Sequence, residues 1–253
     1  RADTWCERVF APWPDLEEKM RAAGLKLFAL ESQEPVTDFD ILGFTLQYEM
    51  AYTNILNMLD LAGVPLFAKD RKEGDPIILA GGGVANNPEP LADFFDLFNL
   101  GEGEEVLNEI LDLYAACKKE HLSREEFLKR AAGIDGVYVP AFYETTYRED
   151  GTIESFGVKA EYRDFARPVI RKRVVPRFDD AYFPEKLVVP FSNVVHDRIM
   201  IEIMRGCSRG CRFCQAGFIY RPVRERSVAT ITEKVEKLVK STGYEEISLL
   251  SLS

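Results

Sequence analysis

The strongest constraint on the fold of this chain is an alternation of short apolar segments with longer amphipathic ones. The segments "LKLFALES", "DILGFTLQ", "PIILAGGG" and "DLFNLG" have strand character. They alternate with "PDLEEKMRAAG", "YTNILNMLDLAG" and "EGEEVLNEILDLYAACKKE", in which helix starts, helical spacing and glycine stops predict helices. Strands that alternate with helices pair in parallel and are covered by helices. The chain is therefore predicted to be an α/β protein with a parallel sheet.

After residue 120 the pattern changes. A short charged helix, "SREEFLKRAAG", is followed by "GVYVPAFYETTY" and "TIESFGV" across "REDG", which predicts a β-hairpin turning at Asp150 and Gly151. A proline-rich stretch then indicates an extended connector. Beyond it, "DRIMIEIMRG", "SVATITEKVEKLVKSTG" and "EEISLLSLS" predict one β-loop-α-β unit. We divide the chain into residues 1–120, a helical and hairpin connector at 121–193, and a second α/β region at 194–253.

Three of the five cysteines lie within eight residues, in "EIMRGCSRGCRFCQAGFIYRPVRER". Cys207, Cys211 and Cys214 are spaced C-x3-C-x2-C in a loop after a predicted strand, where Gly206 and Gly210 allow a tight backbone path. Three thiolates do not complete a tetrahedral zinc site. An iron–sulfur cluster held by three thiolates keeps one iron open to an external ligand. The spacing favours such a cluster, with a zinc site and a purely redox cluster as the alternatives.

This motif, with Phe213 directly before the last cysteine, resembles that of the radical S-adenosylmethionine (radical SAM) superfamily. The resemblance implies that the three cysteines ligate three irons of a [4Fe-4S] cluster and that the fourth iron chelates SAM, with Phe213 beside the cofactor. One electron would cleave SAM to methionine and a 5′-deoxyadenosyl radical, which abstracts hydrogen from an unknown substrate. A reductant such as flavodoxin or ferredoxin is implied as partner. The alternatives are a non-enzymatic iron–sulfur electron-transfer protein and a binding protein.

Longer sequence segments narrow the resemblance from the superfamily to one family within it. "DILGFTLQYEMAYTNILNMLDLAGVPLFAKD", "NPEPLADFFD", "GEGEEV" and "VPFSNVVHDRIMIEIMRGCSRGCRFCQAGFIYRPVRERS" together resemble a bacterial family of uncharacterised radical SAM proteins with a cobalamin-binding-like N-terminal domain. This implies a flavodoxin-like domain at 1–120 and the start of a partial TIM-like barrel at 194–253. It also implies that a strand and a helix precede Arg1 and that most of the barrel follows Ser253.

The candidate ligand loops of the first domain are rich in glycine. Gly81, Gly82 and Gly83 follow one predicted strand, and Gly101 and Gly103 follow the next, at the edge where such folds bind ligands. Backbone without side chains lets a flat or phosphate-bearing ligand approach. The resemblance implies cobalamin, although the D-x-H-x-x-G signature of a cobalt-ligating histidine is absent from the sequence. The alternative is that these glycines serve tight turns and that the domain is a docking scaffold.

Other residues are given structural interpretations. Cys6 and Cys117 are predicted to be buried thiols, and His121 a solvated residue near a helix end. Five arginines make the cysteine loop basic, which suits a bound carboxylate or ordinary solvated charge; they are Arg209, Arg212, Arg221, Arg224 and Arg226.

Composition limits the class of protein. The chain has no run of 18 apolar residues, and its first residues lack the layout of a secretory signal. Its few, clustered cysteines are not a disulfide framework. We therefore expect a cytoplasmic protein without a membrane partner. The net charge is −10, with acidic residues in excess before residue 150 and basic residues after it, so nucleic acid is not excluded as a partner of the second half.

Overall fold

The computed structural model describes residues 1–192 and 194–252. The chain divides into two compact units, Arg1–Arg173 and Val174–Ser253. The segment predicted as a connector, 121–193, contributes to both units, and the division at 120 and 193 stays a prediction. Within the described residues, no helix has the length and apolar character required to cross a membrane.

Four helices of the first unit lie where the sequence predicts them. They are α1 (Pro14–Ala23), α2 (Tyr52–Ala62), α3 (Val106–Lys119) and α4 (Arg124–Ala131). Proline occupies the first position of α1, where its missing N–H costs nothing. The first two helices end at Gly24 and Gly63, both in the left-handed conformation that terminates helices. The Ser123 side chain accepts a hydrogen bond from the Glu126 N–H and caps α4.

A four-stranded sheet forms the centre of the first unit. Its strands are β1 (Ile41–Thr45), β2 (Ile77–Gly81), β3 (Leu97–Asn99) and β4 (Val137–Tyr138). They lie in the order β1-β2-β3-β4, with the first three parallel and β4 antiparallel to β3. The predicted parallel α/β core is confirmed. The order of these described strands does not reverse as it does in a doubly wound sheet, so the flavodoxin-like assignment stays a prediction.

One predicted strand is wrong. The segment "LKLFALES" makes only an isolated bridge, between Phe28 and Pro35. The chain turns back at the end of this segment, because Gln33 adopts a φ of 64° and the Ala29 N–H donates to the Glu34 carbonyl. A turn of this kind leaves too few extended residues to join the sheet.

The core of the first unit surrounds β2 and β3. Phe95 and Phe98 are fully buried, and their rings pack at a tilt with centroids 5.0 Å apart. Between them in sequence, Asp96 is buried, and its Oδ2 accepts from the Ile78 N–H (2.6 Å), Arg71 (3.0 Å) and Arg124 (2.6 Å). Charge-assisted bonds to two arginines and a strand N–H offset the desolvation of this carboxylate.

The predicted β-hairpin is confirmed. Its strands are β5 (Tyr143–Tyr147) and β6 (Ile153–Val158), which pair antiparallel. The turn is closed by hydrogen bonds between Arg148 and Thr152 and between Gly151 and Arg148.

The second unit contains the predicted β-loop-α-β arrangement. Its elements are β7 (Ile199–Glu202), β8 (Met204–Arg205), α5 (Ala216–Ile219), β9 (Arg224–Glu225), α6 (Val228–Thr242) and β10 (Ile247–Leu250). The strands β7 and β10 pair in parallel, and β8 pairs antiparallel with β9. Ser227 caps α6, and Gly243 ends it in the left-handed conformation. The identity of this unit as the start of a barrel stays a prediction.

Candidate functional site

The three clustered cysteines lie on a loop whose two ends are joined. The loop runs from residue 206 to 223, and its ends are held together because Met204 pairs with Glu225 and Arg205 with Arg224. At its entrance Gly206 has a φ of 96°, and a Cβ there would lie 2.6 Å from two carbonyl oxygens of the returning chain. Only glycine fits this position. The predicted tight path of the loop is therefore confirmed at Gly206.

The thiols share this loop without converging on one point. Cys207 and Cys214 are partly buried, and Cys211 is exposed. The Arg209 N–H donates to the Cys207 sulfur at 3.5 Å, and the Cys214 N–H donates to the Cys211 carbonyl at 3.1 Å. Over residues 1–192 and 194–252, no group of three or more metal-ligating side chains is assembled. The donor set fits an iron–sulfur cluster in number and chemistry, and the coordination by these cysteines stays a prediction.

Phe213 is directed to solvent. Its residue is 92% exposed, so nothing in the fold accounts for an aromatic side chain at this position. A second aromatic on the same loop, Phe218, is also exposed, and the guanidinium of Arg221 lies 5.3 Å from its ring centroid. The predicted contact of Phe213 with a cofactor stays a prediction.

The arginines around the loop divide into two groups. Arg209, Arg212 and Arg221 are exposed, as expected of charges available to a ligand. Arg226 is instead buried, and its guanidinium donates to the carbonyls of Phe178 (2.8 Å) and Glu202 (3.2 Å). A guanidinium used in this way is part of the protein's internal structure.

The arginines at the base of the loop contact Phe178, a residue that the sequence analysis did not identify. Phe178 is 2% exposed, and its ring lies near three guanidiniums, those of Arg205 (4.8 Å), Arg224 (5.8 Å) and Arg226 (4.3 Å). Arg224 also donates to the Val175 carbonyl at 2.8 Å. These cation–π and hydrogen-bond contacts hold residues 175–181 against the strands that carry the cysteine loop. The sequence signal, an aromatic within a proline-rich stretch, was too weak to find this role.

The glycines of the first unit lie at the carboxyl ends of β2 and β3, as predicted, but they are not equivalent. A Cβ on Gly82 would lie 2.6 Å from the Leu46 carbonyl oxygen, and one on Gly101 would lie 2.2 Å from the Arg173 carbonyl oxygen. Both have a φ of 108°. Close backbone packing therefore accounts for these two glycines without any ligand. Ligand contact by Gly81, Gly82, Gly83, Gly101 and Gly103 stays a prediction.

A second residue that sequence reasoning missed lies between the two glycine loops. Asn99, at the end of β3, is 8% exposed, and its Oδ1 has no hydrogen-bond partner among the residues that the structure describes. An asparagine at the end of an otherwise apolar buried strand was the available signal.

The other two cysteines, Cys6 and Cys117, and His121 lie outside the cysteine loop. Cys117 is buried, as predicted, and burial raises the pKa of its thiol. The prediction for Cys6 is wrong, because the chain before Pro14 forms neither helix nor strand and Cys6 is exposed. His121 is exposed, as predicted. It lines a cavity of about 450 Å³ with Asp40 and Ile77, at the amino ends of β1 and β2.

Comparison with known protein families gives two matches. Residues 1–140 match the family described as radical SAM proteins, N-terminal. Residues 201–252, which include the cysteine loop, match the radical SAM superfamily.

Individual relatives are longer than this chain. An uncharacterized protein of Methanocaldococcus jannaschii is 27% identical over 243 residues, which are 93% of this chain and 43% of the relative. The ribosomal protein uS12 methylthiotransferase RimO of Desulfotalea psychrophila is 41% identical over 54 residues, 21% of this chain and 12% of that protein. The radical SAM methyltransferase TsrM of Kitasatospora setae, solved with tryptophan and a SAM analogue, aligns at 16% identity and a TM-score of 0.43. The alignment covers 93% of this chain and 39% of that one. This chain thus spans less than half the length of each.

Proposed function

Because the chain belongs to the radical SAM proteins, we propose that it is part of an enzyme that cleaves SAM reductively and acts on a substrate not yet identified. Cys207, Cys211 and Cys214 would hold a four-iron, four-sulfur cluster. The observation that carries this proposal is the placement of three thiols on one loop with paired ends, inside the segment that matches the superfamily. When bound, the cluster would supply the electron for SAM cleavage.

The chain's own residues would support this chemistry in four ways. The pairing of β8 with β9 fixes both ends of the loop. The Arg209 N–H already donates to the Cys207 sulfur and so helps to orient it. The exposed cations Arg212 and Arg221 can attract the SAM carboxylate to the loop. In the proposed site, Phe213 shields the cluster and presents its backbone to the adenine of SAM.

Metal analysis of the full-length protein, reconstituted with iron and sulfide without oxygen, tests the ligand set. We expect about four irons and four sulfides per chain. Cys211→Ala should lose the cluster, whereas Cys6→Ala, which also removes an exposed thiol, should keep it. Stoichiometric zinc without sulfide in protein prepared anaerobically would overturn the assignment.

The proposed enzyme forms a product that the two alternative functions do not form. A non-enzymatic electron carrier or binding protein would hold the cluster without cleaving SAM, whereas the enzyme yields 5′-deoxyadenosine from SAM and dithionite. Iron content and product therefore separate the functions that the motif allows.

We further propose that the first unit binds cobalamin at the carboxyl edge of its sheet, without a histidine ligand from this chain. The supporting observation is Asn99, whose Oδ1 lies at that edge without a hydrogen-bond partner in the described part of the chain. The one histidine of this unit, His121, lines the cavity at the opposite edge. Equilibrium dialysis of full-length protein with hydroxocobalamin tests this. Absence of binding well above micromolar concentrations would leave the domain as a docking scaffold.

A further inference from the structure

The carboxamide of Asn99 is buried without adequate hydrogen bonds. Its Oδ1 has no partner among residues 1–192 and 194–252, and its Nδ2 makes a single long bond, 3.5 Å, to the Gly101 carbonyl. A buried polar atom without a partner destabilises a fold. Such groups are rare enough that each calls for a cause, and a missing ligand is one.

Two glycines lie beside this carboxamide. A Cβ on Gly81 would lie 3.8 Å from the Asn99 Nδ2, and one on Gly103 would lie 3.7 Å from the same atom. These are ordinary contact distances, and neither glycine has the positive φ of Gly82 and Gly101. The fold would therefore accept alanine at both positions. Glycine at both positions keeps side-chain atoms of the two loops away from the Asn99 Nδ2.

The donor and acceptor atoms of the Asn99 side chain determine which chemical group can pair with it. A carboxamide with a free acceptor and an underused donor is matched by another carboxamide, which offers one of each. The loop after β3 also carries Glu102, Glu104 and Glu105. The last of these pairs with Arg173 at 2.8 Å. The Asn99 carboxamide is itself uncharged, so the group that it matches best is an uncharged polar one.

We propose that Asn99 is the residue of the first unit that recognises its ligand, by pairing with a primary carboxamide on an uncharged part of it. This rests on the proposed function, because cobalamin carries carboxamides around its ring. Asn99 would accept from the ligand's N–H and donate to its carbonyl oxygen. The site thereby distinguishes a corrinoid amide from the corresponding ester, which has no N–H.

The test compares hydroxocobalamin with a corrinoid heptamethyl ester, by equilibrium dialysis against full-length protein. The parent should bind hydroxocobalamin more tightly than the ester. Asn99→Leu should weaken hydroxocobalamin binding about tenfold, the effect of losing one or two hydrogen bonds, and should abolish the preference. Gly103→Ala should weaken binding several-fold by covering the carboxamide. The matched control is Gly43→Ala on β1, where a Cβ meets nothing within 4 Å, and it should bind as the parent does.

Thermal unfolding without ligand supplies an independent readout. Replacing an unpaired buried carboxamide with an apolar side chain of similar size should leave the Tm unchanged or raise it. A marked fall in Tm for Asn99→Leu would mean that the carboxamide has a structural role, and would overturn the inference. So would unchanged hydroxocobalamin affinity in that variant, although the proposed cobalamin site would then stand. If the parent binds no corrinoid at all, both proposals fall.

Discussion

The guanidinium of Arg226 lies 4.3 Å from the centroid of the Phe178 ring, and both side chains are buried. The same guanidinium donates to the Phe178 carbonyl at 2.8 Å. Because Arg226 follows directly after β9, this contact connects residues 175–181 to the end of the cysteine loop. The end of the cysteine loop is therefore held in place by residues outside the cysteine motif.

Arg226→Met should destabilise the protein. The substitution leaves buried carbonyl oxygens without their donor, which typically costs about 1–3 kcal/mol for each group. We expect a loss of roughly 3 kcal/mol in the free energy of unfolding, measured by urea denaturation. The exposed Arg177 provides a control, since Arg177→Met should change stability by no more than about 0.5 kcal/mol. Equal effects of the two substitutions would contradict the role given to Arg226.

Asp96→Asn should be among the most damaging substitutions in the first unit. It leaves Arg71 and Arg124 without the carboxylate that they share, at 3.0 and 2.6 Å. Breaking a buried ion pair on one side costs about 3–5 kcal/mol. Asp60→Asn removes a carboxylate that meets Arg21 in an exposed pair, and should cost less than about 1 kcal/mol. Chemical denaturation of both variants checks this, and a small loss for Asp96→Asn would contradict the account of the core.

Tyr114 should make stability depend on pH in the alkaline range. Burial and the neighbouring Asp40 carboxylate raise the pKa of Tyr114 to about 12 in the folded protein. The unfolded pKa is near the ordinary value of about 10, so the folded state holds this proton more tightly. The stabilisation is fully present below about pH 10 and is lost as the pH rises towards 12.

Tyr114→Phe tests this sign. Its free energy of unfolding should fall less steeply than that of the parent between about pH 10 and 12. Tyr147→Phe, which alters an exposed ring, should follow the parent. Identical slopes for all three proteins would show that the Tyr114 proton does not contribute.

Phe213→Ala should separate cluster binding from SAM binding. All three thiols remain, so the iron content should match that of the parent. Because Phe213 is 92% exposed, the variant should also lose less than about 0.5 kcal/mol of stability. SAM affinity, followed by the EPR signal of the reduced cluster during titration, should fall. Parent-like SAM affinity would mean that Phe213 does not contact the cofactor.

Local signals account for what the sequence predicts correctly. Proline at the start of α1 and glycine at the ends of α1 and α2 act within one turn of helix. Apolar runs likewise mark β1, β2 and β3. The segment "LKLFALES", which was wrongly predicted to be a strand, is also an apolar run. The turn at Gln33, directly after it, prevents it from forming a strand.

Long-range contacts account for what was missed. The motif identifies the cysteines because they are close in sequence, whereas Phe178 and Arg226 are 48 residues apart and meet only in the folded chain. The role of Asn99 was missed for a similar reason. That its Oδ1 finds no partner among the described residues is a property of packing, and no spacing in the sequence reports it.

The central claim is that this chain is part of an enzyme that cleaves SAM by means of a cluster on Cys207, Cys211 and Cys214. The most direct measurement is the amount of 5′-deoxyadenosine formed when the anaerobically reconstituted full-length protein is incubated with SAM and dithionite. We predict that the parent and Cys6→Ala form it and that Cys211→Ala does not. A parent that holds about four irons per chain and forms no 5′-deoxyadenosine would contradict the claim.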